Sequence, residues 1–358
     1  MSSPSADASG EPKRGELALI RQIRSRAGHL RSSALRLGIG DDCALLRPHP
    51  GHELAVTTDL TVCGRHFRLD WHTPESIGHR ALARGLSDLA AMGAKPVAAF
   101  LSLGLPRELA TPKGRQTGAN SWVTRFFDGL MALADACKTP LAGGDLSETA
   151  IPLADIVLIG SLPSGTALLR STARPGDLLY VTGTLGGGAA SLPHLDRLAA
   201  RLAKKVKRKS SGLNGLNPAQ IPKELRELLA RHLYPQPRLI QGARLRSRNL
   251  ASAAMDMSDG LSSDLAHICE ESHVAAEIDP TLLPIHPGAS LEYALHGGDD
   301  YELLFTAKAG VRVPRKIAGV PITRIGRILL ARPSRPAVTL LTSEGPQPLK
   351  PKGWEHFS

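Results

Sequence analysis

Apolar and polar positions alternate along the chain with two different periods, which predicts a protein built from both helices and strands. Strand-like runs rich in Val, Ile, Leu and Thr occur at residues 53–60, 95–106 and 153–163. Amphipathic, helix-like runs occupy residues 76–94 and 119–138. The first of these helices is predicted to end at Gly93, because Gly favours helix ends and Pro96 follows just beyond.

A second αβ section follows from about residue 165 to 345. Strand, turn and helix patterns recur at residues 176–192 and 250–272, and residues 297–307 read as a turn followed by a strand. Residues 201–220 break this pattern with a basic run and a Gly- and Asn-rich segment, which predicts an inserted loop. We therefore expect an α+β protein with mixed sheets and flanking helices, divided into a disordered tail (1–14), an N-terminal αβ domain (15–162) and a C-terminal αβ domain (163–358) with a basic insertion at about 195–220.

Composition narrows the class of protein. Hydrophobic residues make up 42% of the 358 residues, which is enough for packed cores and excludes a disordered chain. The net charge of +11 favours anionic partners such as phosphorylated metabolites, nucleic acid or a membrane surface. Six of the nine residues at 201–209 are Lys or Arg, so much of this charge is local.

The cysteines and the N-terminus predict a cytoplasmic location. Four cysteines stand at Cys43, Cys63, Cys137 and Cys269, and none forms a CxxC pair. This spacing argues against a zinc or redox motif and is typical of reduced thiols. The first fifteen residues contain no apolar segment like that of a signal peptide, and no apolar run approaches ~18 residues, so neither secretion nor a membrane span is expected.

Aspartates recur beside Gly at turns and at the ends of apolar runs. The positions are Asp41 and Asp42, Asp59, Asp145, Asp256 and Asp259, and Asp299 and Asp300. Strand ends and the turns after them are where αβ proteins build their sites. Asp beside Gly is also common in ordinary turns, and Ser258 and Asp259 could simply cap the helix that starts near Leu261.

Asp88 is harder to explain by turn chemistry. At about 100° per residue from Ile77, Asp88 falls at about 20°, inside the apolar stripe that also holds Ala81 and Met92. A buried, unpaired carboxylate would cost several kcal/mol or take up a proton. Asp88 therefore needs a cation, a cluster of donors or a solvent-filled cleft.

A divalent cation accounts for several carboxylates in one cleft. Two unit charges 4 Å apart repel by ~4 kcal/mol at an effective dielectric near 20, and a cation reverses that sign. All-Asp ligation suits a hard ion such as Mg²⁺, which most often serves phosphate chemistry. We therefore expect the aspartates to converge around Mg²⁺ in one shared cavity.

Familiar phosphate-binding motifs are missing from the sequence. There is no GxxxxGK[ST] loop and no protein-kinase signature. The Gly-rich turn at residues 183–190 could cradle a phosphate at a helix N-terminus, or could be no more than a tight connection between strand and helix. A phosphate site would then depend on bridging metal ions, backbone amides and a few arginines.

Eight motifs together resemble the thiamine-monophosphate kinase family, within the superfamily of aminoimidazole ribonucleotide synthetase and selenophosphate synthetase. In chain order they read GIGDDCALL, TTDLTVCGRHF, LSDLAAMGAKP, GGD, LLRSTARPGD, MDMSDGLSSDL, GGDDYELLFT and KGWEHF. The resemblance covers about residues 15–358 and weakens at about 195–220. It implies two αβ domains of the aminoimidazole ribonucleotide synthetase type and ATP-dependent phosphorylation of thiamine monophosphate to thiamine diphosphate.

The resemblance also implies roles for individual residues. Several Mg²⁺ ions would be held by Asp42, Thr57, Thr58, Asp59, Asp88, Asp145, Asp256 and Asp259. ATP would be contacted by Gly144, Asp145, Arg170 and Ser258. The thiamine phosphate would be contacted by His66, Asp299 and Trp354. A homodimer formed through the N-terminal domains is implied as well, with ATP between the two domains of one chain.

Two positions depart from the family pattern. Thr57 stands where Ser is usual, which retains a hydroxyl, and Asp299 stands where Glu is usual, which shortens the side chain by one methylene. From the residues alone, Trp354 could stack on the substrate or only anchor the C-terminus, His66 could be an ordinary strand residue, and Arg170 could form a surface ion pair.

The chemistry fits such a transfer, because a phosphate monoester is largely ionised near neutral pH and needs no base to remove a proton. What the reaction needs is cancellation of repulsion between two anionic phosphates held in line. We therefore expect direct transfer, with no catalytic residue beyond the metal ligands.

Two rival functions remain at this point. One is another ATP-dependent synthetase of the same superfamily. The other is a nucleic-acid-binding protein that uses residues 201–209, although this run lacks interleaved aromatics and a binding motif.

Overall fold

The computed structural model describes residues 16–111, 120–205, 215–333 and 336–354. Its α-helices are α1 (Glu16–Ala27), α2 (Pro74–Ala91), α3 (Arg107–Ala110), α4 (Trp122–Cys137), α5 (Gly187–Lys205), α6 (Arg226–Leu233), α7 (Leu239–Ser247), α8 (Leu261–Ser272) and α9 (Leu291–His296). The predicted disordered tail at 1–14 lies outside the described residues, as do residues 206–209 of the basic run.

A four-stranded sheet forms the first half of the chain. Its strands are β3 (His52–Val62), β4 (Lys95–Leu105), β5 (Leu141–Glu148) and β6 (Leu153–Pro163), and they lie in the order β3-β6-β4-β5. β4 and β5 are parallel, whereas β6 is antiparallel to both of its neighbours. A small antiparallel pair, β1 (Leu35–Leu37) and β2 (Leu45–Leu46), precedes this sheet in the chain.

The second sheet is larger and is also mixed. Its strands are β7 (Leu178–Thr182), β8 (Ala253–Asp256), β9 (Val274–Ile278), β10 (Leu303–Ala307), β11 (Lys316–Ile317), β12 (Val320–Leu330), β13 (Val338–Thr342) and β14 (Gly345–Pro348). The order is β14-β13-β9-β12-β7-β10-β8, with β11 paired to β12. Only the β9–β13 pair is parallel among the described strand pairs of this sheet. The predicted α+β class with mixed sheets and flanking helices is confirmed, while the domain boundary at 162/163 stays a prediction.

Helix α2 is the element that both halves share. Thr73 caps its N-terminus by accepting a hydrogen bond from the backbone N–H of Ser76, and Pro74 occupies the first turn. The side chains of Leu82 and Leu86 on α2 pack against α4 and the first sheet. Ala90, near the C-terminus of α2, belongs to a separate apolar cluster that includes residues of the second sheet. Because α2 is buried among both sheets, polar residues on it can reach a site between them.

Glycines allow α2 and α4 to approach each other closely. A Cβ at Gly78 would lie 2.0 Å from the carbonyl oxygen of Phe126, and one at Gly129 would lie 1.8 Å from that of Glu75. Real Cβ atoms do not approach so near, so both positions require glycine. The helix predicted over 76–94 is confirmed at Pro74–Ala91, and Gly93 follows it with a positive φ of 67°.

The loop predicted over 201–220 is wrong at 201–205, whereas residues 215–217 have no regular secondary structure. Helix α5 continues through Lys205, so the first part of the basic run is helical. On the far side, Leu216 is buried and its N–H donates to the carbonyl of Trp71. The prediction failed because Leu198 and Leu202 extend the apolar face of α5 into a small core of their own, a pattern that the basic residues obscured.

None of the described helices is both long enough and apolar enough to cross a membrane.

Candidate active site

Three aspartates from three different elements meet where α2 lies between the two sheets. Asp59 belongs to β3, Asp88 to α2, and Asp256 is the last residue of β8. Thr57 donates a hydrogen bond of 2.5 Å to Asp88, and Ser87 donates one of 2.7 Å to Asp256. The sequence predicted that Asp88 lies on the apolar stripe of α2. In the structure its carboxylate accepts the hydrogen bond of Thr57 and lies among other polar side chains.

The three carboxylates disfavour one another's charge. Burial raises the pKa of Asp256 to about 7, and the neighbouring Asp88 adds to this shift. Burial also raises the pKa of Asp88, with Asp59 as the next cause that acts in the same direction. The pKa of Asp59 is raised by burial as well, against the opposing effect of Arg84. Carboxyl groups with pKa values raised in this way either take up a proton or require a neighbouring positive charge.

The start of helix α8 answers whether Ser258 and Asp259 are merely capping residues. The residue at the N-cap position is Gly260, with a φ of 111°. The acceptor for its backbone N–H is the carboxylate of Asp264, at 3.0 Å, from within the first turn of the helix. Burial raises the pKa of Asp264 well above its usual range, and Asp256 adds to the shift. The helix thus uses Asp264 at its start, which leaves the capping interpretation of Ser258 without support.

A cavity of about 310 Å³ opens beside the aspartates, and it contains the three residues expected to bind the substrate. His66, Asp299 and Trp354 all line this cavity, together with Ser258 and Asp259. Trp354 is 53% exposed, and its backbone N–H donates to the carbonyl of Asp259 at 3.1 Å. The structure therefore brings these residues together from regions far apart in the sequence, while their individual roles stay predictions.

Asp299 is held by several side chains of the protein itself. Its Oδ1 accepts hydrogen bonds from Arg80 at 2.6 Å and from the hydroxyl of Tyr301 at 2.9 Å, and its Oδ2 lies 3.1 Å from Nδ1 of His232. Burial alone would raise the pKa of Asp299, but Arg80 and His232 hold it well below its usual range. Asp299 is thus a fixed negative charge in the cavity wall, on a backbone with a φ of 67°.

Arg84 lies between the cavity and the aspartates. Its Nε donates a hydrogen bond of 3.0 Å to Oδ2 of Asp59, and its Nη2 forms an ion pair with Oδ1 of Asp59 at 2.7 Å. The side chain is 15% exposed and contributes to the cavity lining. Arg84 therefore connects the expected substrate pocket to the expected metal ligands.

Asp42 and Asp145 do not join the other aspartates in the single chain. Both line a separate cavity of about 750 Å³ together with Gly144. This cavity borders β5, which lies at the opposite edge of the sheet from β3 and Asp59. Gly144 is required there, since a Cβ would lie 1.9 Å from the carbonyl oxygen of Leu101. Asp42 and Asp145 therefore line a different cavity from Asp259 and Asp299. Asp59, Asp88 and Asp256 influence one another's charge but line neither cavity, so one shared cavity for all the aspartates stays a prediction.

Thr58 and Arg170 occupy positions around the aspartate group. Thr58 is exposed on β3, opposite Val157 of β6, and thus points away from its neighbour Asp59. Arg170 is exposed on a short 3₁₀ turn, and its charge lowers the pKa of both Asp88 and Asp256, against the larger effect of burial. Arg170 is therefore near enough to act on the same anions as these carboxylates.

The Gly-rich turn before α5 has its amides occupied by the protein. The carboxylate of Asp300 accepts hydrogen bonds from the backbone N–H groups of Gly186, at 2.7 Å, and Gly188, at 3.4 Å. Burial raises the pKa of Asp300 to about 7. An aspartate thus takes the place that a phosphate would need, which favours a tight connection over a phosphate cradle.

Sequence reasoning missed three residues that shape this site, namely Arg80, Arg84 and His232. A signal for the two arginines was available, because Arg80, Arg84 and Asp88 are spaced four residues apart and therefore share one face of α2. No comparable signal points to His232, which meets Asp299 only through the tertiary fold.

Comparison with known proteins first defines the class. Residues 40–162 match the family described as AIR synthase related protein, N-terminal domain, and residues 174–314 match AIR synthase related protein, C-terminal domain. The two αβ halves and the site between them are thus those of an AIR synthase related protein.

Individual relatives identify the family within this class. Thiamine-monophosphate kinase of Escherichia coli (strain K12) is 38% identical over 358 residues, covering 96% of this chain and 98% of the relative. The crystal structure of thiamine-monophosphate kinase from Stenotrophomonas maltophilia K279a is 37% identical, with a TM-score of 0.73 over 91% of this chain and 96% of that one. AaThiL complexed with AMPPCP and TMP is 29% identical, with a TM-score of 0.68 over 98% and 100%. The chain belongs to the thiamine-monophosphate kinase family, and the resemblance noted in the sequence is confirmed.

Proposed function

We propose that this protein transfers the γ-phosphoryl group of ATP to thiamine monophosphate and so forms thiamine diphosphate. The observation that carries this proposal is that the expected substrate cavity lies beside the expected metal ligands in a chain of this family. A cavity lined by His66, Asp299 and Trp354 adjoins the half-buried Asp59 and Asp88 through Arg84, which lines the cavity and pairs with Asp59. A solved relative, AaThiL, was complexed with AMPPCP and TMP, which agrees with ATP as donor and thiamine monophosphate as acceptor.

The side chains of the cavity suit an acceptor that is cationic at one end and anionic at the other. The indole of Trp354 offers a face for the thiazolium or pyrimidine ring, a contact worth about 0.5–2 kcal/mol for a cation. Asp299 supplies a fixed negative charge toward the thiazolium, while Arg84 supplies positive charge toward the phosphate. The ionised phosphate is itself the nucleophile, so the protein's task is to hold two phosphates in line and to exclude water.

Magnesium is the cofactor that the donor set fits best. The aspartate group offers only oxygen donors, and its raised pKa values are consistent with a site that a cation would stabilise. Among the described residues, no three His, Cys, Asp or Glu side chains converge closely enough to hold an ion as they stand. That is compatible with Mg²⁺, which commonly binds through one or two carboxylates together with substrate phosphates and water.

We propose that Asp59, Asp88 and Asp256 hold Mg²⁺, with Asp259 and the Thr57 hydroxyl beside them. When bound, the ion would neutralise the charge that develops on the phosphates. Arg170 and Ser258 are proposed to contact ATP at the same cleft. Asp42, Thr58, Gly144 and Asp145 keep their proposed roles only if the second cavity also takes part.

A homodimer would bring the cavity that contains Asp42 and Asp145 close to the aspartate group of the partner chain. One face of the first sheet carries Leu54, Val56 and Leu60, which are 39%, 62% and 49% exposed. A second copy of this chain is the proposed occupant, since a repeated apolar face is self-complementary. A twofold axis parallel to the strands would place β3 of one protomer opposite β5 of its partner. The cavity that contains Asp145 in one chain would then approach the edge that carries Asp59 in the other.

The dimer is tested by placing a charge on this face. We expect Val56→Arg to sediment as a monomer of 38.0 kDa and the unaltered protein as a dimer, because burying an unpaired guanidinium at the interface costs several kcal/mol. Leu330→Arg is the matched control, since Leu330 is 59% exposed on the second sheet. A dimer that persists in Val56→Arg would contradict the proposed interface.

A cytoplasmic location is proposed as well. The four cysteines are free thiols in the structure, and reduced thiols persist in the reducing cytosol.

The activity is tested by incubation with ATP, Mg²⁺ and thiamine monophosphate, followed by chromatography. We expect thiamine diphosphate and ADP to appear in equal amounts, and no product when thiamine replaces its monophosphate. Turnover of selenide or formylglycinamidine ribonucleotide instead would assign the chain to another reaction of the superfamily. Labelled phosphate that stays on the protein with ATP alone would refute direct transfer.

A further inference from the structure

We propose that Arg84 is a binding residue for the phosphate of the acceptor substrate and bridges that phosphate to Asp59. The inference rests on the proposed function and deepens it, because it assigns a binding residue to the phosphate of the acceptor. No motif of the sequence pointed to this residue. It follows from the hydrogen bonds of the arginines around the cavity.

The guanidinium of Arg84 has one edge occupied and one edge available. Its Nε donates a hydrogen bond to Asp59 and its Nη2 forms an ion pair with the same carboxylate, which fixes the direction of the group. Within the described residues, Nη1 of Arg84 makes no hydrogen bond or ion pair. Because the guanidinium carries five N–H donors in a rigid fork, the remaining donors can bind a second anion without any break in the Asp59 pair.

Arg80 shows what a saturated arginine looks like at the same cavity. It lies one helical turn before Arg84, is 1% exposed, and donates through all three nitrogens. Its acceptors are the carbonyl oxygens of His66 and His232 and the carboxylate of Asp299. Each nitrogen of Arg80 thus makes a hydrogen bond to the protein, and the side chain is too deeply buried to offer a ligand a free donor.

The other two arginines of the cavity are less suited to hold the phosphate. Arg68 pairs with Asp70 and Asp196 and stacks on Trp71, with its guanidinium carbon 4.3 Å from the ring centroid. Arg65 is exposed, so the side-chain entropy lost on ordering it would offset much of its attraction. Arg84 combines partial burial, a fixed orientation and free donors.

Its position also suits the chemistry. The charge of Arg84 lowers the pKa of both Asp88 and Asp299, so this arginine lies near both carboxyls. A phosphate bound at Nη1 would therefore lie between the aspartates that are proposed to hold Mg²⁺ and the carboxylate that faces the thiazolium. That is where the acceptor phosphate of thiamine monophosphate has to be for transfer.

The test compares two ligands that differ only in the phosphate. Affinities for thiamine monophosphate and for thiamine are measured by calorimetry, without ATP and with EDTA, in the unaltered protein and in Arg84→Met. We expect thiamine monophosphate to bind about 10–100-fold more weakly in the variant, as for the loss of hydrogen bonds to a charged group. Thiamine should bind within about twofold of the unaltered protein, and Arg84→Lys should be intermediate because it keeps the charge but loses the fork.

Three further variants separate a binding role from a structural one. Arg327→Met is the matched control, since Arg327 also pairs with a carboxylate, Glu277, but on the second sheet. Should Arg84→Met leave Asp59 unpaired and the fold damaged, Asp59→Asn and Asp59→Asn with Arg84→Met provide the same comparison without a buried charge.

Equal weakening of both ligands would overturn the proposal, because it would mean that Arg84 only supports the pocket. A loss confined to Arg65→Met would overturn it as well. If the unaltered protein binds neither ligand and also forms no thiamine diphosphate from ATP, Mg²⁺ and thiamine monophosphate, the proposed function itself fails, and with it the assignment of Arg84. If it forms thiamine diphosphate but binds neither ligand in EDTA, the assignment of Arg84 alone fails.

Discussion

Replacing Asp88 with asparagine is expected to abolish phosphoryl transfer while leaving the protein at least as stable as before. The expected loss in kcat is about 10²–10³-fold or more, comparable with the removal of one electrostatic contact to a transition state. The side chain keeps its shape, and the new amide oxygen can still accept the hydrogen bond of Thr57. What the substitution removes is one negative charge from the middle of the aspartate group.

The stability of this variant provides the second readout. Burial and neighbouring carboxylates raise the pKa of Asp88, so its charged form is disfavoured in the folded protein. A neutral amide avoids this cost, and the melting temperature without Mg²⁺ should therefore stay the same or rise by a few degrees.

Asp135→Asn serves as the control, because Asp135 is an exposed aspartate paired with His29 and lies away from the cavity. Steady-state turnover and thermal unfolding are measured on both variants. Near-normal turnover by Asp88→Asn would refute the assignment of this carboxylate to the reaction.

The second large effect concerns stability, at the buried pair of Arg238 and Glu302. Glu302 is fully buried, and both of its oxygens accept hydrogen bonds from Arg238, at 2.5 and 2.6 Å. Thr182 adds a third hydrogen bond at 2.6 Å. Replacement of Arg238 by methionine should lower the free energy of unfolding by about 3–5 kcal/mol, because the carboxylate would then be buried without its partner. Denaturant titration followed by circular dichroism measures this difference.

Two comparisons show whether the unpaired charge is the cause. The double variant Arg238→Met with Glu302→Gln should recover a large part of the loss, since no buried charge remains. Arg107→Met should cost far less than Arg238→Met, because the Arg107–Glu148 pair is exposed to solvent. If Arg238→Met costs as little as Arg107→Met, the neighbouring Arg231, at 3.6 Å from Glu302, is sufficient by itself.

The sequence allowed much of the fold to be predicted, because its local patterns are strong. The apolar run of Leu153–Pro163 and the amphipathic run around Asp88 formed the strand and the helix that their periods indicate. The start of α5 was also recognised, but its end was not, since basic residues at 201–205 hid a continuing apolar face. Periodicity is a local property, and it performs best where local and tertiary preferences agree.

The site was less predictable, because it depends on distances between remote residues. Motifs placed Asp59, Asp88 and Asp256 in one group, and the fold agrees. The same reasoning placed Asp145 with them, whereas strand order carries it to the far edge of the sheet. The ion pair between Asp299 and Arg80 spans 219 residues of sequence, and no local pattern could indicate it.

Helix α2 sets the spacing between the parts of the site. Arg80 holds Asp299, Arg84 holds Asp59, and Asp88 adjoins Asp256, each four residues after the last. At about 1.5 Å per residue, these contacts follow one another at intervals of about 6 Å along a single axis. The separation between the ring-binding end and the metal-binding end is thereby fixed by helical rise. One inserted residue between Arg80 and Arg84 would rotate everything after it by about 100° and would misplace the acceptor relative to the donor.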